Sequence, residues 1–181
     1  MTFDTLHPPD TCPFCTIASS YPSSLSSIDL FNHTLTSPSA FMVLSTPLCM
    51  AFLDIMPLSP GHLLVTTRAH REIMSEVTEE EARELGLWLL RLSRVLARVT
   101  GVGDWNIVQN NGAAAAQVVP HVHFHIIPRP SLTPELRNKS FTMFGRGQRS
   151  EIDDDEAVDL SQRLRAELAK EMIEVGKKAK L

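Results

Sequence analysis

Three short apolar runs, AFMVLS (40–45), LCMAFLDIMP (48–57) and GHLLVTT (61–67), follow one another with Pro or Gly at their borders. Each is strand-sized, and together they predict a meander. The period then changes. Leu85, Leu89, Leu92, Leu96 and Val99 recur at helical spacing as far as Gly101. Thr78 and Glu81 offer a capping box ahead of them, with Glu79 and Glu80 adding negative charge to the first turn. WNIVQN (105–110) reads as a strand, NGAAAAQVVP (111–120) as a small-residue loop, and HVHFHIIP (121–128) as a strand that Pro128 ends. Asp153 to Glu156 open a second helix with Ala157, Leu160, Leu164, Leu168 and Met172 on one face and Lys177, Lys178 and Lys180 near its end. Between Thr16 and Ser39 the chain is rich in Ser, Thr and Pro, which predicts a surface insertion or loop that adds little core. No internal repeat is visible.

A length of 181 residues fits one domain with a real core. The formal charge of -4 argues against a broad grip on nucleic acid or anionic membranes, so any phosphate binding must be local. There is no apolar stretch of membrane-span length, and the first residues have neither a basic start nor an apolar signal core. The expected location is therefore cytosolic, with the nucleus open. Cys12, Cys15 and Cys49 are odd in number. Cys12 and Cys15 form a C-x-x-C pair that suggests metal or redox chemistry in a reducing compartment, whereas Cys49 sits in an apolar run and reads as core.

The chemistry concentrates in PHVHFHIIPRP (120–130). On a strand, His121, His123 and His125 would share one face and Val122, Phe124 and Ile126 the other. A lone histidine in an apolar run is usually a hydrogen-bonded core residue. Three in register would cost several kcal/mol if buried without partners, so that face should look onto a polar site or a structural metal cluster. Just upstream, Asn110, Gly112, four alanines and Gln117 would let backbone amides approach an anion. By itself the loop suits a phosphate cradle or a plain tight connection equally, but beside the histidines the phosphate reading gains. Neutral imidazole is a good nucleophile toward phosphorus, and its phosphoramidate is labile to water. Neighbouring imidazoles can donate to phosphoryl oxygens or protonate a leaving group.

HVHFHII resembles the signature of the histidine triad (HIT) nucleotide hydrolases and transferases. AFLDIMPLSPGHLLVTTRAH and QNNGAAAAQVVPHVHFHIIPR resemble that family's two best-marked stretches, so the likeness runs from Cys12 to about Pro130 around the Ser-rich insertion. It implies an α+β fold in which an antiparallel sheet of about five strands carries a long helix; with the loop and helix read in residues 131–181, the whole chain is expected to be one domain of this kind. It also implies a homodimer. By the same likeness His123 attacks the α-phosphorus of a purine nucleotide conjugate, His125 contacts phosphate oxygens, and Asn110 lies beside the phosphates. Asp54 falls where ribose hydroxyls bind, although a turn-capping carboxylate would occupy the same position. Phe52, Leu53 and Ile55 would help wall the base pocket, and His62 matches a fourth histidine that supports the triad.

The likeness also implies a structural zinc site. Two thiolates leave two tetrahedral positions open, and some family members fill them with the residues that here are His70 and His121. No organic cofactor is implied. One departure stands out: many members carry a hydroxyl residue where this chain has Val118, and Ala116 replaces a glycine, which crowds the loop. Gln117 remains as a polar group. The missing hydroxyl puts leaving-group assistance in question. It motivates an alternative, a nucleotide-binding regulatory module with little turnover. A third reading, a hydrolase whose histidines hold a catalytic metal, has no nearby acidic ligand in the sequence to support it. The basic residues Arg137, Lys139, Arg146 and Arg149 suit either a polyphosphate or partner contact or a solvated loop.

Overall fold

A computed structural model describes residues 12–23, 40–130 and 151–178. Five strands, β1 (Met42–Ser45), β2 (Cys49–Leu53), β3 (Leu63–Thr67), β4 (Trp105–Gln109) and β5 (His123–Pro128), form one antiparallel sheet in the order β1-β2-β3-β5-β4. With helices α1 (Pro13–Ser20), α2 (Glu79–Thr100) and α3 (Asp154–Lys178), this is the expected α+β architecture. Alternation along the strands sorts their side chains into two layers. Cys49, Ala51, Leu53, Leu63, Val65 and Ile126 meet Leu85, Leu92 and Leu96 of α2 and Leu164 of α3 in the larger core. Met50, Phe52 and Leu64 turn to the opposite face and meet Phe14, Ile17 and Tyr21. Because both faces are covered, every residue of β1, β2 and β3 is buried, which is why their sequences are continuous apolar runs.

The expectation of a loop from Thr16 onward is corrected here: Thr16 to Ser20 complete α1. Propensity alone would not hold an eight-residue helix. Phe14 and Ile17 bury its inner face. The Arg68 guanidinium donates to the carbonyls of Ala18 (2.7 Å), Tyr21 (3.1 Å) and Thr46 (2.8 Å), and so ties the helix end to the sheet. Residues 24–39 of the expected insertion, and Arg137, Lys139, Arg146 and Arg149, lie outside the described residues, as do Lys180 and the side chains of Lys177 and Lys178.

Helix α2 begins and ends as its sequence predicts. Thr78 and Glu81 form the capping box, and Gly101 takes a left-handed φ of 70° at the C-cap. Glu81 also pairs with Arg71 at 3.1 Å, and the Arg71 carbonyl accepts the Val122 amide at 2.6 Å. The helix start is thus linked to the segment leading into β5. At the other end, Gly61 has φ +87°, and a Cβ there would lie 3.0 Å from Leu96 and Thr100 side chains. A side chain at this turn would push β3 off the end of α2. Helix α3 is latched to α2 by Arg94 and Arg98 on Glu171, at 3.2 and 2.7 Å. The Arg98 hydrogen bond holds the Glu171 carboxyl below its ordinary pKa.

Candidate active site and metal centre

Leu64 pairs with His125 and Thr66 with His123 across β3 and β5, so both imidazoles lie on the α1 side of the sheet, with His123 beside Phe14. His121 does not belong to the ladder. Strand β5 starts at His123, which corrects the expectation of one strand carrying all three histidines. Residues 121 and 122 are pinned separately, Val122 by its amide on the Arg71 carbonyl and by the Thr66 hydroxyl on its own carbonyl at 2.6 Å, and His121 by its ring on the Thr67 carbonyl. The three histidines therefore serve two centres.

His123 is 6% exposed. Its Nδ1 donates to the His121 carbonyl at 2.6 Å. In a neutral ring that bond places the lone pair on Nε2, the nitrogen a nucleophile needs. Phe14 stands edge-on to the His123 ring, centroids 5.3 Å apart, and to Phe52 at 5.4 Å. The His125 ring lies 4.9 Å from that of His123 on the other side. Asn110, one residue beyond the Gln109–Phe124 pair, comes level with His123.

His125 continues into a buried polar row. Its Nδ1 is 2.9 Å from His62 Nε2. His62 is fully buried, and its Nδ1 meets the Leu58 amide at 3.2 Å and Asp54 Oδ2 at 3.5 Å. Asp54 Oδ1 accepts the Met56 amide at 2.9 Å, so the carboxylate caps its turn, and Asp54 itself is 6% exposed. An acidic group thus does stand beside these histidines, contrary to the sequence expectation. Asp54, His62 and His125 each present a ligand atom within 4.8 Å of the others, a spacing that would also admit a metal ion, and here they line up as a polar row.

The second centre gathers Cys12, Cys15, His70 and His121, whose ligand atoms all lie within 4.8 Å of one another. Cys12 Sγ is 3.3 Å from His121 Nδ1, and Cys15 Sγ is 3.3 Å from His70 Nδ1 and 3.7 Å from His121 Nδ1. Tetrahedral zinc with ordinary bond lengths sets sulfur and nitrogen ligands about 3.6 Å apart. His121 Nε2 donates to the Thr67 carbonyl at 2.9 Å, which leaves Nδ1 as the lone-pair nitrogen on the thiol side. Burial, opposed by that Thr67 bond, pushes the His121 pKa down to about 4, so the ring is neutral and able to ligate. Cys49 stands apart: burial first, then Glu84 and Glu81, push its thiol up to about 12, as suits a core residue.

The loop before the triad departs from its expected role. The Gln117 side chain accepts the Gly112 amide at 2.6 Å and donates to the Glu72 carbonyl at 2.8 Å. The Ala115 and Gln117 amides bond to the Gly112 carbonyl, and that of Ala116 bonds to Ala113. Gln117 is therefore a clamp, and these four amides are spent on closing the loop. Val118 is 89% exposed. Leu53 is a further correction: alternation turns it to the α2 core, so Phe52 rather than Leu53 lines the imidazole face. Ile55 lies past the end of β2 and is exposed.

Ala116 is also exposed, so crowding is not its difficulty. Its φ is +64°, a left-handed conformation that costs an L-residue about 1–2 kcal/mol. Ala116→Gly should raise stability by about 0.5–1 kcal/mol, seen as a higher urea midpoint at unchanged m-value. A lower midpoint would contradict this account of the loop.

Sequence reasoning missed Phe14, Thr67 and the Leu58 amide. Phe14 lies between the two cysteines, and Thr67 is three residues before His70. Either position could have suggested a supporting role.

The profile of the HIT domain family matches residues 36–132. An adenosine 5'-monophosphoramidase of Schizosaccharomyces pombe is 43% identical over 86 residues, which are 48% of this chain and 62% of that protein. The match thus spans less than two thirds of that relative. An adenosine 5'-monophosphoramidase of Saccharomyces cerevisiae is 30% identical over 126 residues, 68% of this chain and 77% of that protein. Among solved structures, a hypothetical histidine triad nucleotide-binding protein from Sulfolobus tokodaii superposes with a TM-score of 0.66 at 26% identity, over 88% of this chain and 93% of the other. With its family profile matched over more than half its length, the chain belongs to the histidine triad family.

Proposed function

We propose that this protein hydrolyses purine nucleotide conjugates at the α-phosphorus through a nucleotidyl-His123 intermediate. The observation that carries the reading is the Nδ1 bond from His123 to the His121 carbonyl, which presents Nε2 as a fixed nucleophile beside His125. His123 Nε2 bonds to phosphorus while the bond to the leaving group breaks, and the leaving group takes the electron pair and a proton from His125. Water then attacks the phosphorus, gives its proton to His125, and frees His123 with release of the nucleotide. Asp54 binds the ribose hydroxyls, Phe52 and Ile55 border the base, and Asn110 lies beside the phosphates. The names of the yeast relatives point to phosphoramidates among the conjugates.

Zinc completes the reading as a structural ion. Cys12, Cys15, His70 and His121 would hold it, and it would crosslink α1, the segment after β3 and the entry to β5. A homodimer follows the same family logic. Among the described residues strand β4 is the last of the sheet, with Trp105 and Ile107 39% and 46% exposed, and a second copy would cover them.

The test is a substrate panel. Adenosine phosphoramidate, Ap3A and Ap4A are incubated with the protein with and without chelator, and AMP is measured. At least one should be cleaved, with no requirement for added metal during turnover. Nucleotide binding without any cleavage would replace this reading with the regulatory module. Loss of activity on chelation and recovery on metal addition, with the fold intact, would favour a metal-dependent hydrolase.

A further inference from the structure

The buried row from Asp54 through His62 to His125 has two arrangements of hydrogens, and only one of them lets His125 exchange protons. His62 Nδ1 has two competing neighbours, the Leu58 N–H at 3.2 Å and the Asp54 carboxylate at 3.5 Å. The structure has Leu58 donating to it, and in that arrangement neutral His62 carries its proton on Nε2 and donates to His125 Nδ1, 2.9 Å away. His125 then has N–H at Nε2. Such a neutral ring has no lone pair there to receive a proton and is a very weak acid.

As an acid–base group, His125 must instead alternate between the imidazolium and the neutral form protonated at Nδ1. In both forms Nδ1–H donates to His62 Nε2. His62 must then carry its own proton on Nδ1, and the acceptor poised for it is Asp54 Oδ2. Nδ1 then gives up the Leu58 N–H, and a closure of about half an ångström makes the Asp54 contact a full hydrogen bond. From this geometry we infer that Asp54, acting through His62, is a positioning residue for proton transfer to the leaving group, in addition to any contact with ribose.

The proton balance is simple. When the bond from phosphorus to the leaving nitrogen breaks, that nitrogen keeps the electron pair and takes the proton from His125 Nε2. His125 returns to the neutral Nδ1–H form, still donating to His62, and its Nε2 lone pair is ready to accept a proton from water. Asp54 balances the positive charge in the first half of this cycle and keeps the tautomer through the second.

The inference rests on the proposed hydrolysis and is tested on two conjugates of AMP. One is a phosphoramidate of an alkylamine, whose leaving group needs a proton; the other is the p-nitrophenyl ester, whose leaving group departs as an anion. Single-turnover release of each leaving group is measured in wild-type protein and in Asp54→Asn. The ratio of amine to phenolate release should fall by at least about 30-fold in the variant, since general-acid catalysis is worth about 10²–10⁴. An inactive fraction cancels from the ratio. If both rates fall together, with the ratio within about 3-fold of wild type, Asp54 serves binding alone and the inference fails. His62→Gln breaks the same row from its middle. It should give the same fall in ratio where Asp54→Asn does not yield folded protein, and an unchanged ratio there is equally fatal. If wild-type protein cleaves neither conjugate, the hydrolase reading itself fails.

Discussion

His123→Gly should leave a folded protein that still binds nucleotide but whose turnover has fallen by a factor on the order of 10⁴ or more. The magnitude follows from the role. Removing a nucleophile eliminates the covalent route, whereas removing a group that only orients substrate leaves that route in place. His123 is suited to that role by its bond to the His121 carbonyl, which places the lone pair on Nε2. Survival of the fold is expected because His123 lies at the start of β5, while the core beneath it is built from Val65, Ile126 and the α2 leucines. Its main packing partners, Phe14 and His125, remain in place. Thermal unfolding and nucleotide titration verify the folded state, and steady-state assay of the best substrate from the panel supplies the rate. Turnover within about 100-fold of wild type would remove His123 from the nucleophile's place.

Purified protein should carry one equivalent of zinc per chain, and losing it should cost about 3 kcal/mol or more, on the order of 10 °C in Tm. The four ligands come from the start of α1, the segment after β3 and the approach to β5. Breaking the centre in Cys12→Ser/Cys15→Ser frees the N-terminal helix and leaves His121 buried with both of its sulfur partners gone. Loss of zinc should therefore loosen the strand that carries His123, and activity should decline together with unfolding rather than ahead of it. Elemental analysis and unfolding curves with and without chelator measure both effects. Less than about half an equivalent of zinc, or an unchanged Tm after complete chelation, would contradict a structural metal.

Much of this was legible in the sequence for a physical reason: where period and cap agree, local chemistry decides. Leu85 to Val99 with Thr78, Glu81 and Gly101 specify α2 without help from elsewhere. Alternation in HVHFHII likewise separates imidazoles from apolar partners whatever the sheet around it. The errors arose where tertiary contacts decide. Helix α1 reads as loop because Thr16, Ser19 and Ser20 mask its buried Phe14 and Ile17, and Arg68, some fifty positions away, supplies what propensity lacks. Leu53 and Phe52 are both apolar neighbours of Asp54, and only the register with β3 tells which one faces the histidines.

The role of Gln117 was similarly hidden. A polar residue in a small-residue loop suits ligand contact as well as loop closure, until Glu72 is seen across from it. Asp54 and His62 are eight residues apart. Nothing in their spacing reveals that the turn between β2 and β3 sets the Asp54 amide on the His62 carbonyl at 2.9 Å, which brings the carboxylate to the buried ring. The C-x-x-C pair and the first histidine were legible as candidate ligands. Their convergence depended on α1 folding back over the sheet.

The covalent adduct is the central claim, and trapping it is its most direct test. Protein mixed with the best conjugate and quenched in alkali within one turnover should gain the mass of one nucleotidyl group, labile to acid and located by peptide mapping on His123. Turnover that proceeds without such an adduct, or an adduct on another residue, would contradict the account.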